Sequence, residues 1–201
     1  QIMNRGWSVK DLIRQVVFSQ TYRQSSKPNL AGTKMDPNNH LLHRMPIRRL
    51  QAEVLLDAID QVCGTQERFT GVPLGTRAIE LPDPNFSSYF LDTLGRPQRI
   101  VSCECERTAE PNLAQVLQLA NGELVQRKLT DKEGRLSKLI DSKAADEAAF
   151  TEFYLVALSR LPTAREVEHC RTILTSAADR QAGLEDILWA LLNSREFLFN
   201  H

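Results

Sequence analysis

Between Ile47 and Cys63, apolar side chains cover most of the circumference of a helix, and this feature constrains the fold more than any other. Successive residues of an α-helix are rotated by about 100°, so these side chains point in many directions. Such a helix is stable only when other elements cover it on most sides. Gly64 follows as a C-terminal cap. The apolar positions are Ile47, Leu50, Val54, Leu55, Ala58, Ile59 and Val62.

The segments before this helix predict further helices. Ser8 is expected to act as an N-cap for a first helix that ends near Tyr22. Residues 24–37 are polar and predict a long loop. Residues 36–42 begin with an Asp-Pro pair, which favours the start of a short helix. The expected apolar face of the first helix consists of Val9, Leu12, Ile13, Val16 and Val17.

The remainder of the chain predicts an all-α fold. Residues 65–85 and 96–110 contain several Gly or Pro residues or lack helical periodicity, and they predict loops. Residues 77–81 alone predict a short strand. The fold class expected is an irregular multi-helix domain with long loops and at most one short strand pair. We expect one domain over residues 1–201, or a subdivision near 108–112 into 1–110 and 111–201. The predicted helices are 86–94, 113–120, 123–130, 133–141, 146–159, one that begins with a Thr163–Glu166 capping box, and 184–199.

Composition excludes several classes of partner. The 201 residues contain 25 basic and 25 acidic side chains, so we expect no nucleic-acid partner and no direct insertion into a membrane. The chain has no apolar run of about 20 residues, and its first residues lack the apolar core of a signal peptide. It also lacks the Cys-x-x-Cys-His motif that attaches haem, so no cofactor is expected in this domain.

Both Trp residues, Trp7 and Trp189, are expected in the core.

A polar stripe crosses the central helix at Arg49, Glu53 and Asp57. These side chains could form a catalytic pair of carboxylates, or a surface ladder of ion pairs. We favour a structural brace for the 96–110 loop, with Glu106 and Arg107 as partners of opposite charge. Arg48 falls inside the apolar arc and must extend to solvent or find a partner.

Histidine and cysteine residues are the candidate metal ligands. His40 and His43 share one face of the predicted short helix, but metal binding would require further ligands. We favour imidazole rings that bond to backbone carbonyls. Cys103, Cys105, His169 and Cys170 form a second candidate set, although their spacing is not that of a standard zinc site. Buried thiols, or a disulfide that joins Cys103 or Cys105 to Cys63 or Cys170, are the alternatives.

Seven segments along the chain carry a resemblance to a known family. They are Gly6–Lys10, Ser19–Ser26, residues 36–57, Phe90-Leu91 with Gly95-Arg-Pro97, Cys103–Arg107 with Glu110-Pro111, Leu158–Thr163 and Asn193–Phe199. Together they resemble the C-terminal domain of unknown function found in large planctomycete-type secreted proteins, and the resemblance covers nearly the whole chain. It implies a place at the end of a larger protein in the periplasm, cell envelope or extracellular space, with haem in a separate cytochrome c segment.

Three functions are compatible with these patterns. The first is a non-catalytic interaction or scaffold module whose partners are other domains of the same polypeptide. The second is part of an extracellular enzyme that acts on polysaccharide, with its site where Arg49, Glu53 and Asp57 meet the 96–110 loop. The third is a Cys/His metal-binding domain. We favour the first, because the sequence contains neither a Gly-x-Ser-x-Gly nucleophile motif nor a Gly-rich phosphate loop.

Overall fold

The computed structural model describes residue 3 and residues 6–100 and 113–200. Within these residues the secondary structure is helical apart from one two-stranded sheet, formed by β1 (Arg48–Arg49) and β2 (Phe199–Asn200). The predicted all-α class is therefore confirmed. Every helix in the described part of the chain is too short or too polar to cross a bilayer.

The chain divides into two compact units. Unit 1 consists of residues 1–48 and 199–201, and unit 2 consists of residues 49–198. The predicted subdivision near 108–112 lies on residues outside the described part of the chain.

Unit 1 contains two short helices, α1 (Val9–Val17) and α2 (Leu30–Met35). The Ser8 hydroxyl accepts the amide of Asp11, which confirms the predicted cap of α1. Neither helix has a buried residue, and within the described residues of unit 1 only Asp36 is buried.

Three helix predictions for unit 1 are wrong. Helix α1 ends at Val17, five residues before the predicted end near Tyr22. Helix α2 lies in the predicted 24–37 loop, because the Asn29 side chain accepts the amide of Gly32 at 2.6 Å and caps a helix there. The predicted helix at 36–42 is a turn instead. The Asp36 carboxylate accepts the amides of His40 at 2.9 Å and Leu41 at 2.6 Å, farther along the chain than a helix cap reaches.

Unit 2 is a helical assembly built around α3 (Ala52–Cys63). The other helices of unit 2 are α4 (Tyr89–Thr93), α5 (Leu113–Asn121), α6 (Glu123–Leu129), α7 (Arg135–Asp141), α8 (Asp146–Leu158), α9 (Ala164–Ser176), α10 (Arg180–Leu192) and α11 (Arg195–Leu198). Helix α3 contacts α4, α6, α7, α8 and a 3₁₀ helix at Ala78–Glu80, while α10 packs on α8 and α9.

The hydrophobic core lies in unit 2. Large side chains from α3, α4, α8 and α10 are almost completely buried in it. The predicted burial of α3 is confirmed, and Gly64 ends this helix in the left-handed conformation, with φ of 69°. The largest fully buried side chains include Phe90, Phe150, Phe153, Leu55, Leu56, Ile59, Leu184 and Leu188.

Three predicted elements of unit 2 differ from the structure. Helix α3 begins at Ala52, five residues later than predicted, because the preceding Arg48–Arg49 segment forms β1. The predicted strand at 77–81 is the 3₁₀ helix. The predicted helix at 184–199 begins at Arg180 and breaks after Leu192, because the Ser194 hydroxyl accepts the amide of Phe197 and starts α11.

Candidate functional site

Asp57 on α3 holds the start of the 3₁₀ helix. One oxygen of its carboxylate accepts the amide of Ala78 at 2.6 Å, and the other accepts the amide of Ile79 at 3.2 Å. Burial raises the pKa of Asp57, although these two amide bonds and the Arg77 guanidinium act in the opposite direction. Both oxygens are therefore committed to backbone amides, which explains why residues 78–80 form a turn of helix and not a strand.

Replacing Asp57 by Asn should lower the free energy of unfolding by about 1–2 kcal/mol, because an amide presents only one oxygen to two N–H donors. Urea denaturation would measure the change. Asp83→Asn is the control, because the hydrogen bond that Asp83 accepts within the described part of the chain comes from the exposed amide of Asn85. Equal stability of Asp57→Asn and the wild type would contradict the structural role.

Asp60, one turn after Asp57, belongs to a buried ion-pair network. The Lys128 ammonium from α6 binds the carboxylates of Asp60 and, at 2.8 Å, Glu67. Asp60 also accepts the Thr65 hydroxyl at 2.8 Å and the Glu67 amide at 3.0 Å. The exposed Arg127 guanidinium lies 3.2 Å from Glu67. The Lys128 side chain is only 4% exposed, so the network joins α3, α6 and the 64–67 turn inside the protein.

The other residues of the predicted stripe lie at different places. Arg49 is in β1 and not on α3, and its guanidinium donates to the Leu94 carbonyl at 3.1 Å and to the Gln115 side chain. Arg48 is exposed, and its amide donates to the Asn200 side chain at 2.8 Å. Glu53 is 3% exposed, on the first turn of α3. The stripe is therefore not a single helical ladder.

Of the 96–110 loop, which the polar stripe is predicted to brace, the structure describes residues 96–100. Its proposed contacts with Cys103, Cys105, Glu106 and Arg107 lie outside the described residues and stay predictions. The described start of the loop contacts a different segment. Arg96 donates to the Phe86 carbonyl at 2.8 Å and Arg99 to the Pro82 carbonyl at 3.2 Å, so the loop begins against residues 82–86.

A cavity of about 720 Å³ borders α3. Asp57 and Asp60 line one wall, and Thr65, Gln66 and Arg77 line others. Two carboxylates beside a cavity could perform acid–base catalysis if one were able to accept a proton and the other to donate one. In this wall Asp57 accepts two amides, and Asp60 binds an ammonium, a hydroxyl and an amide. The carboxylate oxygens of this wall are therefore largely occupied by hydrogen bonds within the protein itself.

His40 and His43 do not share a helix face. They lie in the turn after Asp36, where His43 Nε2 is 3.2 Å from the Asp36 carbonyl, as expected of an imidazole bonded to the backbone. The His43 ring packs over Gly32, where a Cβ atom would lie 2.5 Å from Nδ1. Groups of three or more His, Cys, Asp or Glu residues able to hold a metal do not occur among the described residues.

The second metal set is also separated where it is described. On α9 the Cys170 side chain is buried and His169 is exposed, so the neighbouring residues point to different environments. Cys63 and Cys170 are both free thiols. Burial raises the pKa of Cys63 to about 12, so the thiol is protonated at neutral pH and is a poor nucleophile.

Arg160 forms a second charged cluster, between α8 and α9. Its guanidinium binds Glu166 through two hydrogen bonds of 2.9 and 2.7 Å and Glu196 through two of 2.7 and 2.8 Å. It also lies 5.4 Å from the centre of the Tyr154 ring. Glu166 completes the predicted capping box with Thr163, which is confirmed. One arginine therefore joins the start of α9 to α11.

Acid should weaken this cluster. Hydrogen bonds from Arg160 lower the pKa of Glu166 from 4.5 to about 2, so its ionised form stabilises the fold at pH values above 4.5. That stability is lost as the pH falls from 4.5 toward about 2. Urea midpoints measured across this window should decline less steeply for Glu166→Gln than for the wild type. Parallel declines of Glu166→Gln and the wild type would contradict this role, and Glu133→Gln, at an exposed position, is the control.

The apolar side of α1 is uncovered. We define the α1 face as Val9, Leu12, Ile13 and Val16, which are all exposed. Trp7 before the helix is 67% exposed and Phe18 after it is 68% exposed. The prediction of Trp7 in the core is therefore wrong, whereas Trp189 packs against the core as predicted. Helical periodicity located this face correctly but could not indicate whether the chain itself covers it.

The sequence patterns do not predict that Lys128 and Arg160 join helices to one another. Lys128 lies three residues after the buried Val125 and next to the buried Leu129. A cation on the apolar side of α6 is therefore the sequence feature that could have indicated a buried ion pair. Arg160 had no comparable signal, because its partner Glu196 is 36 residues away in sequence.

These observations define an all-α protein whose described charged clusters mainly join helices. A family model described as "PSD1: Protein of unknown function (DUF1553)" matches residues 1–174, and the chain belongs to this family. Comparisons with curated proteins and with solved structures found no match.

Proposed function

We propose that this chain is a non-catalytic helical interaction module that docks onto other domains of a larger exported protein. The observation that carries the proposal is the uncovered α1 face. Soluble proteins rarely leave contiguous large apolar side chains in water unless another surface covers them. Trp7 and Phe18, at the two ends of α1, are side chains of the kind that anchor interfaces. Since α1 and α2 have no buried residue, a partner would supply the core that they lack.

The charged residues of unit 2 support a non-catalytic role. A polysaccharide-directed enzyme would need a carboxylate that can gain or lose a proton at the substrate. Asp57 borders a cavity and has a raised pKa, which is the observation that favours this alternative. Its two oxygens, however, are occupied by the amides of Ala78 and Ile79, so proton transfer would disrupt the 3₁₀ helix.

The cellular context of the proposal rests on the resemblance to planctomycete-type secreted proteins. In this account the module lies at the C-terminus of its parent protein, in the periplasm, cell envelope or extracellular space. Any haem is bound by a separate cytochrome c segment of the parent protein.

The docking role predicts different effects of Ile13→Ser in two settings. In the 201-residue chain the variant should change the free energy of unfolding by at most about 0.5 kcal/mol, since Ile13 is exposed. In the longer natural polypeptide the same variant should weaken docking. The amides of α1 should then exchange hydrogen about tenfold faster than in the wild-type polypeptide, which corresponds to about 1.4 kcal/mol.

Gln15→Ser on the same helix is the matched control, because it removes no apolar side chain. It should leave exchange in the longer polypeptide within about twofold of the wild type. If the α1 amides exchange equally fast in the 201-residue chain and in the longer polypeptide, α1 is not docked and the proposed function is wrong.

A further inference from the structure

Charge is distributed unevenly between the two parts of the sequence. Residues 1–48 contain eight Lys and Arg residues but only two acidic ones, Asp11 and Asp36, so their net charge is +6. Because the whole chain has equal numbers of basic and acidic residues, residues 49–201 have a net charge of −6. The uncovered α1 face therefore belongs to the basic part of the chain.

Several basic side chains of unit 1 are available to a partner. Lys10, Arg23, Lys27 and Lys34 are exposed, and among the described residues no carboxylate forms an ion pair with them. Arg14 differs, because it lies 3.2 Å from Asp11 on the same helix. Unit 1 thus combines an apolar helix face with exposed cations on α1, on α2 and in the loop between them.

We propose that the surface that receives the α1 face is an acidic protein surface with an apolar groove. This inference rests on the proposed function and specifies the chemistry of the partner. The α1 face would occupy the groove, with Trp7 and Phe18 as aromatic anchors at its two ends. Arg23, Lys27 and Lys34 would lie at the rim, opposite carboxylates of the partner.

The structure favours a protein groove over an anionic lipid surface. A helix that binds lipid head groups needs several cations along its own polar side, each worth about 1 kcal/mol near an anionic membrane. Helix α1 has Lys10 and Arg14, and Arg14 is already paired with Asp11. Further apolar side chains, Leu30 and Met35, are exposed on the separate helix α2. Contacts from two short helices and the loop between them suit a shaped protein surface.

The test is hydrogen exchange of the α1 amides in the longer natural polypeptide at about 50 mM and about 500 mM NaCl. The expected result is protection at low salt that falls about tenfold at high salt, because salt screens charges at the rim of an interface. The triple variant Arg23→Gln, Lys27→Gln, Lys34→Gln should lose the same protection already at low salt. The control triple Lys132→Gln, Lys138→Gln, Lys143→Gln changes exposed cations of unit 2 and should behave as the wild type does.

Other outcomes separate this inference from the proposed function. Protection that is insensitive to salt and to the first triple variant would overturn the acidic surface but keep the docking role. Absence of protection in the longer polypeptide would overturn both. Protection that appears only after adding vesicles of phosphatidylserine and phosphatidylcholine would identify a lipid surface and overturn the inference. Protection that increases with protein concentration would identify a second copy of the chain and also overturn it.

Discussion

Replacing Lys128 by Met should lower the free energy of unfolding by about 3–5 kcal/mol, which is a large part of the stability of an ordinary domain. The variant removes the buried cation that lies between the Asp60 and Glu67 carboxylates. Met fills most of the same space, so the loss is mainly electrostatic and not a cavity. Two carboxylates would then face each other with little water to screen them.

Arg127→Met is the matched control for Lys128. Arg127 is on the same helix and binds the same Glu67 carboxylate, but its side chain is 59% exposed. An exposed pair of this kind contributes at most about 1 kcal/mol. Urea denaturation of both variants at neutral pH therefore separates the effect of burying the cation from the effect of removing its charge. Equal, small losses for Lys128→Met and Arg127→Met would show that the Lys128 network is not a structural brace.

Replacing Arg160 by Lys should lower the free energy of unfolding by about 2–3 kcal/mol, between the values typical of exposed and buried ion pairs. Lysine keeps the positive charge but cannot bind Glu166 and Glu196 through paired N–H groups. About a third of each of these side chains is exposed, so solvent screens part of the loss.

Arg171→Lys provides the comparison for Arg160. Arg171 also contacts two glutamates, Glu147 and Glu168, but it lies on the exposed side of α9. Its replacement should cost less than about 0.5 kcal/mol. If Arg160→Lys and Arg171→Lys are equally stable in urea denaturation, the paired hydrogen bonds of the planar Arg160 guanidinium do not stabilise the contact between α9 and α11.

Local chemistry explains which parts of the fold were predictable. The Ser8 cap, the Gly64 cap and the Thr163–Glu166 capping box each depend on residues within one turn of a helix, and all three are confirmed. The start of α3 and the 3₁₀ helix at Ala78–Glu80 depend on distant partners. Asp57, which binds Ala78, is 21 residues away in sequence, so local pattern favoured a strand there.

The same distinction applies to the candidate site. Periodicity identified the polar residues of α3, but it placed Arg49 on the helix and could not show that Asp60 binds Lys128, 68 residues away. It also found the apolar side of α1, but it could not show what covers that side. An amphipathic helix has the same pattern whether its own chain or a partner covers it.

The proposed function makes the α1 face a docking surface of a larger protein. The most direct measurement is acrylamide quenching of Trp7 fluorescence, taken as the difference between the wild type and Trp7→Phe. In the 201-residue chain Trp7 should be quenched freely, because it is 67% exposed. In the longer natural polypeptide it should be shielded, with a quenching constant several-fold smaller. Equal quenching of Trp7 in both proteins would contradict the account.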